Sequence, residues 1–213
     1  MERFNLRAIQ NMVFKGTTTV GVVCEDGIIL AADKRATAGY YIASKRVKKI
    51  FKIDEHIAGT MAGGVADAQH FLEAIKYMAS LYKYNNKRPI SVRSAATLAS
   101  NILFNMRPYV FLVESIIAGV DDYGPSMYSI DFFGTVTQEQ CIGRGSGSPV
   151  ALGVLESEFR PGMSVSMVLP IIIKALNAAL KRDPFTGEGV DVVVITKKEG
   201  YRELSEDELK HYS

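Results

Sequence analysis

The chain has 213 residues, which is enough for one domain, or at most two, with a substantial hydrophobic core. Its 47% hydrophobic and 23% charged residues are ordinary for a soluble globular protein and give no sign of disorder. Twenty-five basic and 23 acidic residues leave a net charge of only +2, and the mixing of both signs argues against a nucleic-acid-binding surface.

Nothing in the sequence indicates export or membrane insertion. The first 16 residues lack the continuous apolar segment of a secretory signal, and the longest apolar run, Met167 to Ile173, is far shorter than the roughly 20 residues that cross a bilayer. The two cysteines, Cys24 and Cys141, stand in apolar, strand-like surroundings. We therefore predict buried thiols in a reducing, cytoplasmic compartment.

The first third of the chain predicts two β-hairpins. Branched side chains dominate short runs that alternate with turns rich in Asp, Glu and Gly, a pattern typical of paired strands. The predicted strands are Thr17 to Cys24, Ile28 to Ala32, Ile50 to Ile53 and Ile57 to Met61. The segment between the hairpins, residues 34 to 49, is polar and basic and carries no predicted element.

Two pairs of helices are predicted from apolar residues that recur every three or four positions. The predicted helices run from Asp67 to Tyr82, from Ser91 to Met106, from Val150 to Phe159 and from Val165 to Leu180. Ser91 is a candidate N-cap for the second helix. Pro170 should kink the fourth helix or delay its start, because proline removes a backbone donor and its ring clashes with the preceding turn.

The remaining segments predict an antiparallel meander in the middle of the chain and a last hairpin near its end. Their predicted strands are Phe111 to Val120, Ser126 to Asp131, Thr135 to Ile142, Val190 to Thr196 and Tyr201 to Leu204, followed by a polar tail. Grouped strands that alternate with grouped helices describe an α+β protein with antiparallel sheets. Two helix pairs covering two packed sheets would give a four-layer α-β-β-α sandwich.

Thr17 is the candidate nucleophile. Threonine is common at a strand start because its branched Cβ suits the pleated backbone, so a catalytic interpretation needs partners elsewhere in the chain. A threonine hydroxyl is activated when the residue's own free α-amine takes its proton. In the chain as written that nitrogen is an amide, so the chemistry requires cleavage between Gly16 and Thr17. Attack of the Thr17 hydroxyl on the Gly16 carbonyl would make the cleavage autocatalytic.

Three further positions fit this chemistry. A lysine such as Lys49 near the reacting hydroxyl would favour an alkoxide, and an aspartate such as Asp33 beside it would hold the ammonium charged and oriented. At Gly63 the backbone could approach a substrate closely enough for its N–H to stabilise an oxyanion. Taken singly, Asp33 and Lys49 are of types that are usually found at the surface, and sequence spacing does not establish that these groups meet.

Other chemistries find less support. The histidines, His56, His70 and His211, stand in a predicted turn, a helix and the tail, and no Gly-x-Ser-x-Gly segment is present, which argues against a Ser-His-Asp hydrolase. The glycine-rich loop from Gly143 to Ser148 lacks the Lys-Ser/Thr pair of a phosphate-binding loop. No metal site and no cofactor are predicted.

Taken together, the motifs resemble those of the β subunits of the 20S proteasome, most closely the archaeal type, within the N-terminal nucleophile hydrolases. The similarity runs from Gly16 to about Leu204. The segments that carry it are Gly16 to Gly21, Ala31 to Arg35, Val47 to Ile50, Met61 to Gly63, Gly145 to Pro149, Arg182-Asp183 and Thr186-Gly187. The resemblance implies the N-terminal-nucleophile hydrolase fold and threonine endopeptidase activity.

The resemblance also implies roles for single residues. It makes Thr17 the nucleophile and, once freed, the α-amine base, with Asp33 and Lys49 as its charged partners and the Gly63 N–H as the oxyanion donor. Ser146 and Asp183 match the pair that surrounds the threonine amine, and Thr186 stands where the family usually has serine. The pocket for the residue before the scissile bond would be lined by apolar side chains, namely Ala36, Val47, Met61 and Val65.

By the same resemblance, residues 1 to 16 are a propeptide removed by autocleavage, and residues 17 to 213 form a single catalytic domain. Family members assemble into stacked heptameric β rings between α-subunit rings, receive unfolded polypeptides, and are fed by a regulatory ATPase. One alternative is a structural β subunit that retains its propeptide. A second is the bacterial two-component relative, which the Gly145 to Pro149 and Arg182 to Gly187 segments fit less well.

Overall fold

A computed structural model describes residues 16–108 and 111–212. In chain order the strands are β1 (Thr18–Val23), β2 (Gly27–Asp33), β3 (Ala36–Ala38), β4 (Tyr41–Ser44), β5 (Ile50–Asp54), β6 (Ile57–Thr60), β7 (Ala62–Gly63), β8 (Val113–Asp121), β9 (Gly124–Ile130), β10 (Val136–Gln138), β11 (Cys141–Gly145), β12 (Val190–Thr196) and β13 (Gly200–Glu203). The helices are α1 (Val65–Asn86), α2 (Val92–Asn105), α3 (Ser148–Glu158), α4 (Val165–Arg182) and α5 (Glu206–Lys210). The predicted propeptide lies outside the described residues except for Gly16.

Two antiparallel sheets form the centre of the fold. The first has the strand order β11-β1-β2-β12-β13, and the second has the order β10-β9-β8-β6-β5, with β7 also paired to β8. Apolar side chains of both sheets meet in one buried cluster between them. A second cluster joins the outer face of the first sheet to α3 and α4, and a third joins the outer face of the second sheet to α1 and α2. The predicted α+β, four-layer α-β-β-α architecture is confirmed.

Strand β2 shows why these residues form a central strand. All seven of its residues are buried, because its sheet is covered on one face by helices and on the other by the second sheet. Alternation along the strand sends Ile28 and Leu30 into the cluster between the sheets and Ile29 and Ala31 into the cluster under the helices. A continuous apolar run is therefore required here.

The fold differs from the predicted elements in three strand regions. Ala62 and Gly63, which follow the predicted end of a strand at Met61, form the short strand β7. The polar segment between residues 34 and 49 contains a small hairpin, β3 with β4, whose outer residues are exposed and so lack an apolar signal. The single strand predicted from Thr135 to Ile142 is two strands. The first, β10, continues the meander with β9, whereas β11 crosses to the other sheet and pairs with β1.

Two helices also differ from the prediction. Helix α4 begins at Val165 and continues through Pro170, so of the two predicted effects of the proline, a kink or a delayed start, the delay does not occur. Pro170 and the carbonyl of Ser166, which loses its helical partner, both lie on an exposed face, while the opposite face is buried under the first sheet. The polar tail holds α5, which Ser205 and Glu208 start with a reciprocal capping box.

Strand pairing brings distant segments to one end of the first sheet. Strand β1 lies between β2 and β11, so Thr18 pairs with Gly145 and Thr19 with Ala32. The end of β2 at Asp33 pairs with the start of β12. None of the helices in residues 16–108 and 111–212 is long and apolar enough to span a membrane.

Replacing Leu30 with alanine should lower the free energy of unfolding by about 3 kcal/mol, because Leu30 is fully buried between two sheets that cannot close the cavity. Urea denaturation of the purified chain measures this loss. Leu81→Ala is the matched control, since Leu81 is 42% exposed on α1, and it should cost less than about 1 kcal/mol. Equal losses for the two variants would contradict the packing described for β2.

Candidate active site

Thr17 lies immediately before β1 and is 7% exposed. Its hydroxyl donates a hydrogen bond to the carbonyl oxygen of Gly16 at 2.5 Å, so the candidate nucleophile lies against the peptide group that would be cut. Gly16 has a φ of +97°, which favours glycine, and a Cβ there would lie 2.2 Å from the Thr37 hydroxyl. Both the backbone angle and the lack of space for a Cβ therefore favour glycine at position 16.

Asp33 and Lys49 form a buried ion pair beside this peptide group. The Lys49 ammonium donates to Asp33 Oδ1 at 2.6 Å and to the Gly16 carbonyl oxygen at 3.3 Å. Lys49 is 1% exposed, and this burial lowers its pKa, while the negative charge of Asp33 opposes the shift and favours the ammonium form. A positive charge is therefore held where an oxyanion would develop on Gly16.

Asp33 is fixed by backbone donors from three segments. Its Oδ1 accepts the N–H of Thr18 at 2.8 Å, and its Oδ2 accepts the N–H of Arg35 at 3.1 Å and of Gly187 at 3.0 Å. Together with Lys49, these donors satisfy a carboxylate that has no exposed surface. Removing a charged group from water costs several kcal/mol unless it is paired in this way.

A hydroxyl network surrounds the other side of Thr17 and the next residue. Ser146 donates to Asp183 Oδ2 at 2.6 Å and lies 3.5 Å from the Thr17 carbonyl oxygen. Thr186 donates to the same carboxylate oxygen at 2.5 Å. Because its proton is used there, Thr186 accepts from the Thr18 hydroxyl at 2.6 Å. The structure therefore brings together Ser146, Asp183 and Thr186, and adds Thr18, while the role of the first three around the threonine amine stays a prediction.

The glycines of the Gly143 to Ser148 loop allow this close packing. Gly145 has a φ of +92°, and a Cβ there would lie 2.0 Å from the Thr17 carbonyl oxygen. At Gly147 a Cβ would lie 2.2 Å from the Thr18 hydroxyl. Each distance is well below van der Waals contact, so the glycines let the loop approach the nucleophile segment.

A small cleft of about 20 Å³ opens next to the Gly16–Thr17 bond, with polar and apolar residues in its lining, and we call it the apolar cleft after its side chains Ala36, Met61 and Val65. It is lined by Gly16, Thr17, Ala36, Thr37, Lys49, Met61, Gly63 and Val65. Three of the four residues predicted for the acyl-side pocket are therefore present. Val47, the fourth, is not part of this lining. Its side chain packs against the core under α1 and α2, and its N–H donates to the Lys34 carbonyl oxygen at 2.9 Å.

Gly63 lines the same cleft, opposite Thr17 and Lys49. It pairs with Val113, has a φ of +110°, and a Cβ there would lie 2.0 Å from the Leu112 carbonyl oxygen. Glycine is thus required by the backbone itself. The role of its N–H as oxyanion donor stays a prediction.

Several contributors were not found from the sequence. Arg35 donates its guanidinium to the Pro184 carbonyl oxygen at 2.8 Å and pairs with Glu188, which fixes the loop that carries Thr186. Thr37 lines the cleft, and its buried hydroxyl has no partner among the described residues. Both residues are close in sequence to Asp33. No pattern in the sequence links Arg35 to Glu188, its partner about 150 positions away.

The histidines do not enter the site. His56 lies in the turn between β5 and β6, at the opposite end of the sheets, where its ring nitrogen contacts the Ile90 carbonyl oxygen. His70 is exposed on α1, and His211 follows α5. Within the described ranges no group of three or more His, Cys, Asp or Glu side chains could hold a metal ion.

Comparison with known proteins identifies the family. A model of the proteasome subunit family matches residues 13–195. The chain is 50% identical to proteasome subunit beta 1 of Pyrobaculum calidifontis over 189 residues, which is 88% of this chain and 94% of the relative. It is 45% identical to proteasome subunit beta of Methanothermobacter thermautotrophicus over 196 residues, which is 92% of this chain and 93% of that relative. The chain therefore belongs to the proteasome subunit family, in which it is a β subunit of the archaeal type.

Proposed function

We propose that the chain is a catalytic proteasome β subunit, a threonine endopeptidase that frees its own nucleophile. The observation that carries this proposal is the contact between the Thr17 hydroxyl and the Gly16 carbonyl, beside the Lys49 ammonium. Nucleophile, scissile peptide group and positive charge lie within hydrogen-bond distance before any partner has been added. Such an arrangement favours attack because little reorganisation is needed.

The first reaction is self-cleavage. Thr17 Oγ1 attacks the Gly16 carbonyl carbon, and Lys49 stabilises the negative charge on the carbonyl oxygen. Collapse breaks the bond to the Thr17 nitrogen, which takes up the proton lost by the hydroxyl and leaves Gly16 joined to Thr17 by an ester. Water then hydrolyses the ester, which releases residues 1 to 16 and exposes the α-amine of Thr17.

The second reaction is substrate hydrolysis. The free α-amine acts as the general base for the Thr17 hydroxyl, which attacks the substrate carbonyl and expels the new amine, leaving an acyl-ester that water resolves. Ser146 and Asp183 lie around the Thr17 backbone and would orient the amine. The Gly63 N–H is the proposed oxyanion donor. No cofactor enters this scheme.

The acyl-side cleft suggests the substrate preference. Ala36, Met61 and Val65 give it an apolar lining next to the residue that precedes the scissile bond. Burial of an apolar side chain there would contribute binding free energy, whereas a charged side chain would lose hydration, and the one cation in the lining, Lys49, is already paired with Asp33. We therefore propose cleavage after hydrophobic residues of unfolded polypeptides.

Membership of the family implies assembly into a core particle with other proteasome subunits. We propose that the partners are α subunits and further β subunits in stacked heptameric rings, with a regulatory ATPase at the α rings. Relatives of this chain are named subunit beta 1 and subunit beta 2, so a ring containing two kinds of β subunit is compatible with the comparisons.

The alternative function is a structural β subunit that keeps its propeptide. One observation weighs against it: Lys49 and Asp33 are both buried, and a buried ion pair is often no more stabilising than apolar residues of similar volume. A purely structural subunit would gain nothing from keeping this pair directed at Gly16. Processing that depends on a second β subunit remains compatible with the proposal.

Thr17→Ala should abolish both self-cleavage and peptide hydrolysis, because no other hydroxyl contacts the Gly16 carbonyl among the described residues. Self-cleavage is measured by the intact mass and the N-terminal sequence of the subunit after its assembly with α subunits. Peptide hydrolysis is measured with a fluorogenic peptide. The wild-type chain should begin at Thr17. Thr17→Ser, the matched control, keeps the hydroxyl and should still release the propeptide. Peptide hydrolysis by assembled Thr17→Ala would contradict the proposal, as would a wild-type chain that still begins at Met1 after assembly with α subunits and a second β subunit.

Lys49→Ala should lower the turnover number roughly 100-fold, because the positive charge beside the developing oxyanion is lost. Lys48→Ala is the matched control, since Lys48 is exposed and pairs with Glu203 far from Thr17. It should retain wild-type turnover. In Lys49→Ala the buried carboxylate of Asp33 is left without its cation, which could itself cause inactivity. The double variant Asp33→Asn/Lys49→Met removes both charges and so separates this effect from the loss of the positive charge beside the oxyanion. Normal turnover in Lys49→Ala would refute the assigned role.

A peptide panel that varies only the residue before the scissile bond should show the highest kcat/KM for leucine, phenylalanine or tyrosine. Met61→Lys places a charge in the cleft and should reduce kcat/KM for these peptides at least tenfold. A tenfold loss corresponds to about the free energy gained by burying one apolar side chain. Val47 lies outside the lining, so Val47→Lys should change the preference for the residue before the scissile bond less than Met61→Lys does. A wild-type preference for acidic residues would contradict the apolar pocket.

A further inference from the structure

The loop that joins α4 to β12, residues 183–189, carries two of the groups that surround the nucleophile segment, and we call it the α4–β12 loop. Asp183 accepts hydrogen bonds from Ser146 and Thr186, and Thr186 accepts one from Thr18. The structure describes the whole loop, and none of its residues lines the apolar cleft. The conformation of the loop therefore decides where these two groups lie without forming part of the cleft.

The α4–β12 loop has a backbone conformation that most residues disfavour. Glu188 has a φ of +67°, and Gly189 has a φ of +98°. Glycine adopts such angles readily, whereas a residue with a Cβ keeps them only where its surroundings hold it. Glu188 therefore needs a contact that holds this part of the loop.

Arg35 supplies that contact. Its Nη2 donates to Glu188 Oε1 at 3.2 Å, and its Nη1 donates to the Pro184 carbonyl oxygen at 2.8 Å. A Cβ at Gly187 would lie 2.2 Å from Cζ of Arg35, so the guanidinium packs directly against the loop backbone. The side chains of Arg35 and Glu188 are only 21% and 23% exposed, which limits the screening of their ion pair by salt.

The same arginine is tied to the buried ion pair of the site. Its backbone N–H donates to Asp33 Oδ2 at 3.1 Å, and the Gly187 N–H donates to the same oxygen at 3.0 Å. Arg35 thus connects Asp33, the partner of Lys49, to the α4–β12 loop. In the described part of the chain Arg35 forms no hydrogen bond with Thr17 and does not line the apolar cleft. An effect of Arg35 on the reaction would therefore be exerted through the groups that it holds.

We infer that Arg35 and Glu188 are positioning residues for the proposed protease. Their ion pair holds the α4–β12 loop in its left-handed backbone conformation and so keeps Asp183 and Thr186 in place around the α-amine of Thr17. The inference rests on the proposed function, in which that amine is the general base. Without the pair the loop would misplace these groups and lower the turnover number, whereas the apolar cleft, and with it KM, would stay unchanged.

The test compares variants at position 188 in the full chain, assembled with α subunits and, where removal of residues 1–16 requires it, with an inactive second β subunit. Only particles in which this chain begins at Thr17 are used, and kcat and KM are measured with a fluorogenic peptide that carries leucine before the scissile bond. Glu188→Ala removes the ion pair and leaves a Cβ at the left-handed position, so kcat should fall roughly tenfold while KM stays within about twofold. Glu188→Gly also removes the ion pair, but glycine adopts the backbone angle readily, so kcat should lie within about threefold of the wild type.

A matched control separates positioning from the loss of any ion pair. Glu199→Ala breaks the 3.3 Å pair with Arg202 and changes an exposed residue in the turn between β12 and β13, at the end of β12 remote from the site. It should keep the wild-type kcat. If Glu188→Ala does not assemble, Glu188→Gln keeps the size of the side chain without its charge, and its kcat should be about threefold lower than that of Glu199→Gln.

A double variant tests whether Arg35 and Glu188 act as one unit. Arg35→Met alone should lower kcat at least as much as Glu188→Ala. Arg35→Met/Glu188→Ala should lower kcat much less than the product of the two single effects, because both changes remove the same interaction. Independent, multiplying effects would contradict a shared role of the two residues.

The outcomes separate the positioning role from the protease function. A wild-type kcat in Glu188→Ala, or a rise in KM in place of the fall in kcat, would overturn the inference while the cut peptide still supports a protease. A kcat in Glu188→Gly as low as in Glu188→Ala would also overturn it, because the pair would then not act by holding the backbone angle. A wild-type particle that begins at Thr17 and cuts no peptide would overturn both. A low kcat in Glu188→Ala together with recovery in Glu188→Gly would support the inference.

Discussion

The buried ion pair between Asp33 and Lys49 is the constraint on which the rest of the site depends. Asp33 ends a strand of the first sheet, whereas Lys49 precedes a strand of the second, so their 2.6 Å contact fixes the separation of the two sheets at this end. Neither charge is tolerable alone in this position. The backbone donors of Thr18, Arg35 and Gly187 must therefore converge on the carboxylate, and they bring the nucleophile segment and the loop before β12 with them.

Close backbone approach is the second requirement. The segment Thr17-Thr18 is enclosed by Gly145 and Gly147, each at a position where a Cβ would overlap with it. Hydroxyl groups then continue from Thr18 through Thr186 to Asp183. Groups held by several short contacts keep one geometry, and a preorganised geometry is what transition-state stabilisation requires. The paired strands and the close glycine contacts thus hold the hydroxyl groups of Thr18 and Thr186 in one arrangement.

The groups that contact Thr17 lie together at one end of the sheets, where a small cleft contains Gly16, the residue before the Gly16–Thr17 bond. A wider cleft of about 600 Å³ lies at the opposite end, among the turns around His56 and Tyr123, and contains none of the groups that contact Thr17. The chemistry of the side chains, rather than cavity size, therefore identifies the candidate active site.

Local patterns in the sequence were sufficient for the sandwich architecture and for most elements. Runs of branched residues predicted β1, β2 and β12, and helical periodicity predicted α1 to α4, because these elements bury continuous apolar faces. Elements with exposed or short apolar faces were missed, namely β3, β4, β7 and α5. The split of residues 135 to 142 between two sheets was also missed, since pairing partners are chosen by the whole fold.

For the site, the sequence by itself determined the residue types: a glycine before Thr17, and the acidic, basic and hydroxyl groups whose motifs resemble one family. Only the tertiary structure decided which of them meet. It joined Asp33 to Lys49, added Thr18 and Arg35, and left Val47 outside the apolar cleft. The physical reason is that hydrogen bonds and ion pairs act over about 3 Å, a distance that strand pairing sets between residues far apart in the chain.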